Sequence, residues 1–223
     1  MGLTQTTIVC HSFDDGQESN ELFSTGNCKH VRLDGYPLNA NFNEASVVDW
    51  VDEHGIPDAD FVGLAHYRRR LLVEDPVAGR KYVRMEVQPM PLGVIWCYYH
   101  SEKFMKAFLD AWDAAVPGGA EQFYKYLTDP LSRFRYKARN LFLLERSDFK
   151  EWIRLMKEVR DPLEKAMEAT KGDPIWSDNY QRRQPGFVCE RITSWFLDKL
   201  PKECVDAPYA ELPVESPYQR ESR

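Results

Sequence analysis

The sequence predicts an α/β fold with a mainly parallel central sheet and flanking helices. Three observations predict it. Short β-branched or aliphatic runs alternate with amphipathic segments of helical period, the order expected of strands joined by crossover helices. No internal repeat or low-complexity tract interrupts the alternation. The 223 residues are 43% hydrophobic and 13% aromatic, enough apolar surface for one core, so residues 1–223 are expected to form a single domain.

Thr6 to Cys10 is short and β-branched and opens into the polar segment His11–Gly16, a strand leading into a loop. From Glu44 to His54, Ala45, Val47, Val48, Trp50 and Val51 recur at helical spacing until Gly55 and Pro57 close the segment. A second strand follows over Phe61–Ala65. Val73–Pro91 carries prolines, glycine and charges with weak periodicity and reads as an irregular excursion beside a site. Leu92–Tyr99 reads as a buried strand, and Ser101 caps a helix to Ala115 whose apolar face holds Phe104, Phe108, Ala111 and Trp112. A strand over Asn140–Leu144, a helix over Ser147–Val159 and a last helix over Gly186–Leu200 complete the alternation. Pro201, Pro208, Pro213 and Pro217 make residues 201–223 an extended tail.

The formal net charge of −6 argues against broad affinity for nucleic acid or anionic lipid, which needs an excess of Lys and Arg on the contacting face. Five scattered cysteines, with no secretory signal before the first strand, point to a reducing cytoplasmic setting. No apolar run approaches the roughly 20 residues that span a bilayer, so contact with an inner membrane would be peripheral. Zinc-finger spacing, Walker loops and dinucleotide-binding glycine patterns are absent from the sequence.

The most informative stretch runs from Asp60 to Arg70, where an apolar run ends in His66, Tyr67, Arg68, Arg69 and Arg70. In open α/β sheets ligands bind beyond the carboxyl ends of strands, and guanidinium forks suit phosphate there. A solvated basic turn is the competing reading. Asp58-Ala59-Asp60 precedes the run, so this Asp-x-Asp sits at the amino end of the strand, opposite the place where metal-binding carboxylates are expected. A turn pair explains it better.

Phe61–Arg69, Arg139–Leu144 and Tyr180–Arg191 resemble, in order, the main blocks of a bacterial and phage family of capsular polysaccharide or O-antigen synthesis glycosyltransferases. His11, Asn43-Glu44 and Glu211–Val214 also look like family positions. The resemblance implies a compact Rossmann-like fold of the GT-A glycosyltransferase type. It implies transfer of a hexose such as galactose from a nucleotide-diphosphate sugar, a UDP-sugar first, to a carbohydrate or lipid-linked glycan acceptor. The chain departs from the family pattern between Tyr82 and Asp129, which leaves the acceptor less specified than the nucleotide.

On this reading Arg68 stabilises charge on the departing diphosphate without a metal or other cofactor, and Glu190 or Asp178 serves as the base for the acceptor hydroxyl. The expected nucleotide-sugar contacts are His11, Asn43, Glu44, His66, Tyr67, Arg69, Asn140, Gln181, Arg182 and Gly186. Glu190 reads equally as a surface carboxylate, Asn43 as a helix cap and His11 as a structural histidine. Arg133, Arg135, Lys137 and Arg139 alternate with Phe134 and Tyr136. An edge strand with a solvated basic face is the first reading of that cluster, and a phosphate or nucleic-acid contact the second. Two other classes therefore stay open: a phage-type glycosyltransferase acting on modified bases of nucleic acid, and a non-catalytic nucleotide-sugar-binding module.

Overall fold

The computed structural model describes residues 2–11, 28–32, 43–66, 69–178 and 181–211. The strands are β1 (Gln5–His11), β2 (Cys28–Arg32), β3 (Phe61–His66), β4 (Arg69–Leu71), β5 (Arg80–Met85), β6 (Lys137–Glu145), β7 (Glu203–Asp206) and β8 (Tyr209–Glu211). The helices are α1 (Val47–His54), α2 (Leu92–Tyr99), α3 (Glu102–Ala115), α4 (Gly119–Thr128), α5 (Arg146–Thr170) and α6 (Gln184–Lys199). The sheet runs β2-β1-β3-β6-β5-β7, with β4 and β8 attached beside β3. β1 is parallel to β2 and β3, and β5 to β7; along that row β6 runs against both its neighbours, and β4 is antiparallel to β3 and β8. This is the expected α/β architecture with a mainly parallel sheet.

Alternation along the strands sorts side chains onto two faces. Ile8, Cys10, Val62, Leu64, Phe142 and Leu144 join the main core under the helices, while Val9, Phe61, Ala65, Leu141 and Leu143 form a smaller cluster on the other face. β3 is buried on both faces until His66, which is why it reads as a continuous apolar run. Its Gly63 pairs with Leu143, and a Cβ there would lie 2.9 Å from the Phe142 carbonyl oxygen. Ser101 caps α3 as expected, its Oγ accepting from the Phe104 amide at 3.1 Å. Phe104, Met105, Phe108 and Trp112 of that helix turn inward. α5 extends well beyond the predicted Val159 and keeps Pro162 within it.

Several expectations are corrected. Leu92–Tyr99 is a helix: Leu92, Ile95 and Trp96 are buried at helical spacing, while Val94, Tyr98 and Tyr99 on its other sides are exposed. A short apolar run does not distinguish the two states by itself. The excursion Val73–Pro91 contains β5, a strand inside the sheet. Its charged Lys81 is buried because Nζ donates to the Leu200 carbonyl at 2.7 Å. Lys137 opens β6 between β3 and β5, so the basic cluster does not form a solvated edge strand. The segment after Pro201 is extended, and β7 and β8 bind it into the sheet; residues 212–223 lie outside the described residues. Among the described residues no helix is long and apolar enough to cross a membrane.

Candidate active site

The parallel strands β1 and β3 end together, with Cys10 paired to His66. Because β6 is reversed, its first residues reach this same edge, where Met85 of β5 faces Lys137. α2 and α6 close over the edge. Between them lies a cleft of about 430 Å³ lined by Arg69, Glu86, Gln88, Leu92, Ile95, Tyr136, Glu190 and Arg191.

Arg69 stands opposite His66 across the β3–β4 pairing, and its Nε and a terminal nitrogen lie 2.8 and 2.6 Å from Oε1 of Glu211 on β8. Tyr136 is buried beside the Glu190 carboxylate; burial first, and that negative charge next, hold the phenol protonated well above its ordinary range. One helical position on, Arg191 is 7% exposed. Its guanidinium donates to the Phe187 carbonyl at 2.9 Å and lies 5.0 Å over the Trp96 ring. His100 is wedged between Trp96 and Phe187, with ring centroids 4.6 and 4.8 Å away, and its Nδ1 is 3.4 Å from Gln181 Oε1.

Burial, and then the Arg191 cation, lower the His100 pKa from 6.5 to about 4. The unfolded chain protonates this ring more readily than the folded one between those values, so stability is complete above about pH 6.5 and is lost as pH falls toward about 4. After allowance for partial exposure of the ring the effect is on the order of 2 kcal/mol. Replacing His100 by Phe, which keeps the stack, should flatten the fall of melting temperature between pH 6.5 and 4. Equal slopes in the two proteins would refute this account.

The profile of the DUF4422 family, a domain of unknown function, matches residues 37–202, which include every described cleft residue from Arg69 to Arg191. The chain belongs to the DUF4422 family. Among solved structures, the apo form of the bifunctional glycosyltransferase WbbM superposes on it with a TM-score of 0.59 at 14% identity, over 96% of this chain. The DUF4422 chain spans 46% of that structure's length. No curated protein matches the chain. The fold is thus glycosyltransferase-like, in agreement with the GT-A, Rossmann-like expectation.

Of the residues singled out in sequence, Arg69 and Glu190 wall the same cleft, and His66 adjoins Arg69. Asn140 sits near that edge in an irregular part of β6: Val83 faces Phe142 and Met85 faces Lys137, so β6 advances five residues where β5 advances two. It has φ 50° and is 4% exposed, and its Oδ1 has no partner. Such a conformation in a non-glycine residue is strained. Asp178 is exposed and away from the cleft lining; its Oδ1 accepts from the Gln181 amide at 3.0 Å. Gln181 Nε2 donates to the Tyr99 carbonyl and Arg182 Nε to the Trp176 carbonyl, at 2.9 and 2.8 Å. Gly186 is buried in the first turn of α6. This block therefore fastens the end of α2 to the start of α6. His11 ends β1, and Asn43 and Glu44 open the short 3-10 turn before α1. Tyr67 and Arg68 lie outside the described residues.

Sequence reasoning passed over Glu86, Tyr136 and Arg191. Arg191 adjoins Glu190 in a block already marked, and Glu86 lies in an excursion read as functional, so both left a signal. Within the basic cluster of the DUF4422 chain Lys137 is buried and Arg135 half-buried. Arg135 pairs with Asp129 and Asp198, and Lys137 lies 2.6 Å from Asp198. At the opposite, amino-terminal edge of the sheet, Asp58 and Asp60 line a wider opening with Glu145 and Arg146. Asp60 accepts from the Thr4 amide and hydroxyl, both at 2.8 Å, bonds that lower its pKa. The turn reading of this pair agrees with that geometry. Among the described residues no cluster of three or more His, Cys, Asp or Glu is disposed to hold a metal.

Proposed function

We propose that this DUF4422 protein is a glycosyltransferase that moves a hexose, galactose first, from a nucleotide-diphosphate sugar, UDP-linked first, to a carbohydrate or lipid-linked glycan acceptor. The observation that carries the reading is the cleft at the strand ends, where guanidinium groups and the Glu190 carboxylate line one cavity in a glycosyltransferase-like fold. Glu190 takes the proton of the acceptor hydroxyl as its oxygen bonds to the anomeric carbon. The bond from that carbon to the diphosphate oxygen breaks, and its electron pair leaves with the nucleotide. Arg68, with Arg69 or His66, offsets the charge that gathers there. Asp178, exposed and engaged with the Gln181 amide, is the lesser candidate for the base.

Catalysis is proposed to need no metal. Support comes from Asp58 and Asp60, which lie at the far edge of the sheet with Asp60 bonded to Thr4. The capture of Arg135 and Lys137 by Asp198 argues against a nucleic-acid acceptor, because those cations are already paired. The test is incubation with a panel of nucleotide sugars, with and without glycan acceptors, following release of free nucleotide. Release from one donor that persists in EDTA is expected. Activity lost in EDTA and restored by Mn²⁺ would end the metal-free reading, and silence with every donor would leave a binding module.

A further inference from the structure

Most of the fold's buried or half-buried cations have a carboxylate partner, although the buried Lys81 meets only the Leu200 carbonyl. Lys137 meets Asp198, Arg69 meets Glu211, Lys202 lies 2.6 and 2.7 Å from Glu145 and Asp148, and Arg160 lies 2.5 Å from Asp49. Arg191 is the exception among the described residues that line the cleft. It is 7% exposed, and among the described residues it forms no ion pair. Its contacts are one carbonyl and one indole face, and its Nε is buried with no hydrogen-bond partner. Glu190 and Glu86 line the same cavity, yet neither stands in ion-pair contact with it.

A guanidinium buried without an anion is costly, and a buried donor left without a partner in a native fold calls for an explanation. The neighbours make this cation strong and fixed. The bond to the Phe187 carbonyl, four residues back on α6, ties the side chain to its own helix. The Trp96 face supports it without neutralising it. His100 beside it stays uncharged at ordinary pH, and Tyr136 keeps its proton. The result is a preorganised positive fork on the wall of an open cavity, which suits an oxyanion with two or more acceptor oxygens.

We infer that Arg191 is the diphosphate anchor of the cleft, donating its unpartnered Nε–H and its remaining N–H groups to phosphate oxygens of the nucleotide. The inference rests on the glycosyltransferase reading for the identity of that diphosphate. Arg69, held by Glu211, is then a supporting cation, since an anion at that guanidinium would compete with the carboxylate already there.

Isothermal titration of inorganic pyrophosphate and of UDP into the full chain, R191Q and R191K tests it. The wild type should bind both ligands and R191Q should bind them roughly 10- to 100-fold more weakly. R191K should fall between, because an ammonium lacks the fork. The melting temperature of ligand-free R191Q should match or exceed that of the wild type, since an uncompensated buried charge has been removed; an arginine with a purely structural role would lower it. Unchanged binding in R191Q, or binding lost only in step with lowered stability, overturns the inference. The nucleotide-release panel separates it from the functional reading. Pyrophosphate binding that depends on Arg191 without turnover of any donor keeps the anchor and rejects the transferase. Equal turnover by wild type and R191Q does the reverse.

Discussion

Changing Glu190 to Gln should lower sugar transfer by roughly 100- to 10,000-fold, the range that a positioned general base contributes, while nucleotide binding persists. The substitution keeps the side chain's length and nearly its shape, so the packing of α6 against β6 should survive. What disappears is the ability to take a proton. The effect belongs in kcat, with the KM for the donor nearly constant and the melting temperature close to that of the wild type. Turnover within a few-fold of normal would remove Glu190 from the mechanism.

Trp152 carries the largest expected effect on stability. It is fully buried on α5, with ring centroids 5.1 Å from Phe142 and 5.5 Å from Phe149. Its indole nitrogen donates to Thr193 Oγ1 on α6 at 3.0 Å. Trp152→Ala should cost about 3–5 kcal/mol from the cavity it leaves, and it strips the buried Thr193 hydroxyl of its donor. At about 2–4 °C per kcal/mol for a domain of this size, the melting temperature should drop by roughly 6–20 °C. Trp152→Phe should lose clearly less, since it keeps most of the ring volume. Urea unfolding that shows under 1 kcal/mol for the alanine variant would mean that the core closes around the gap.

The sheet was legible in sequence wherever a strand is buried on both faces and built of aliphatic residues, as in β1, β3 and the second half of β6. It was illegible where tertiary contacts override the pattern. β5 hides a buried lysine whose charge is met by a carbonyl 119 residues away. α2 carries apolar side chains on its exposed sides as well as its buried one, so no period shows. Of the site, the tip after β3 and the carboxylate in the Tyr180–Arg191 block were readable because their residue types stand out. The role of Arg191 was not: whether an arginine is paired depends on which acids fold up beside it. Asp198, the other acid of α6, lies two turns further on and is occupied by Arg135 and Lys137.

The clamp of Glu211 on Arg69 joins residues 142 positions apart, and it is made by strand pairing between β4 and β8. Closing so long a loop delays the contact until most of the chain is in place, and sheets joined at such separations fold slowly. During synthesis, residues up to the end of α6 can assemble while Arg69 still lacks its carboxylate. The cleft is thus among the last parts of the molecule to reach its final electrostatic state, and a chain cut short before β8 would keep most of its core yet present a different charge at the mouth of the site.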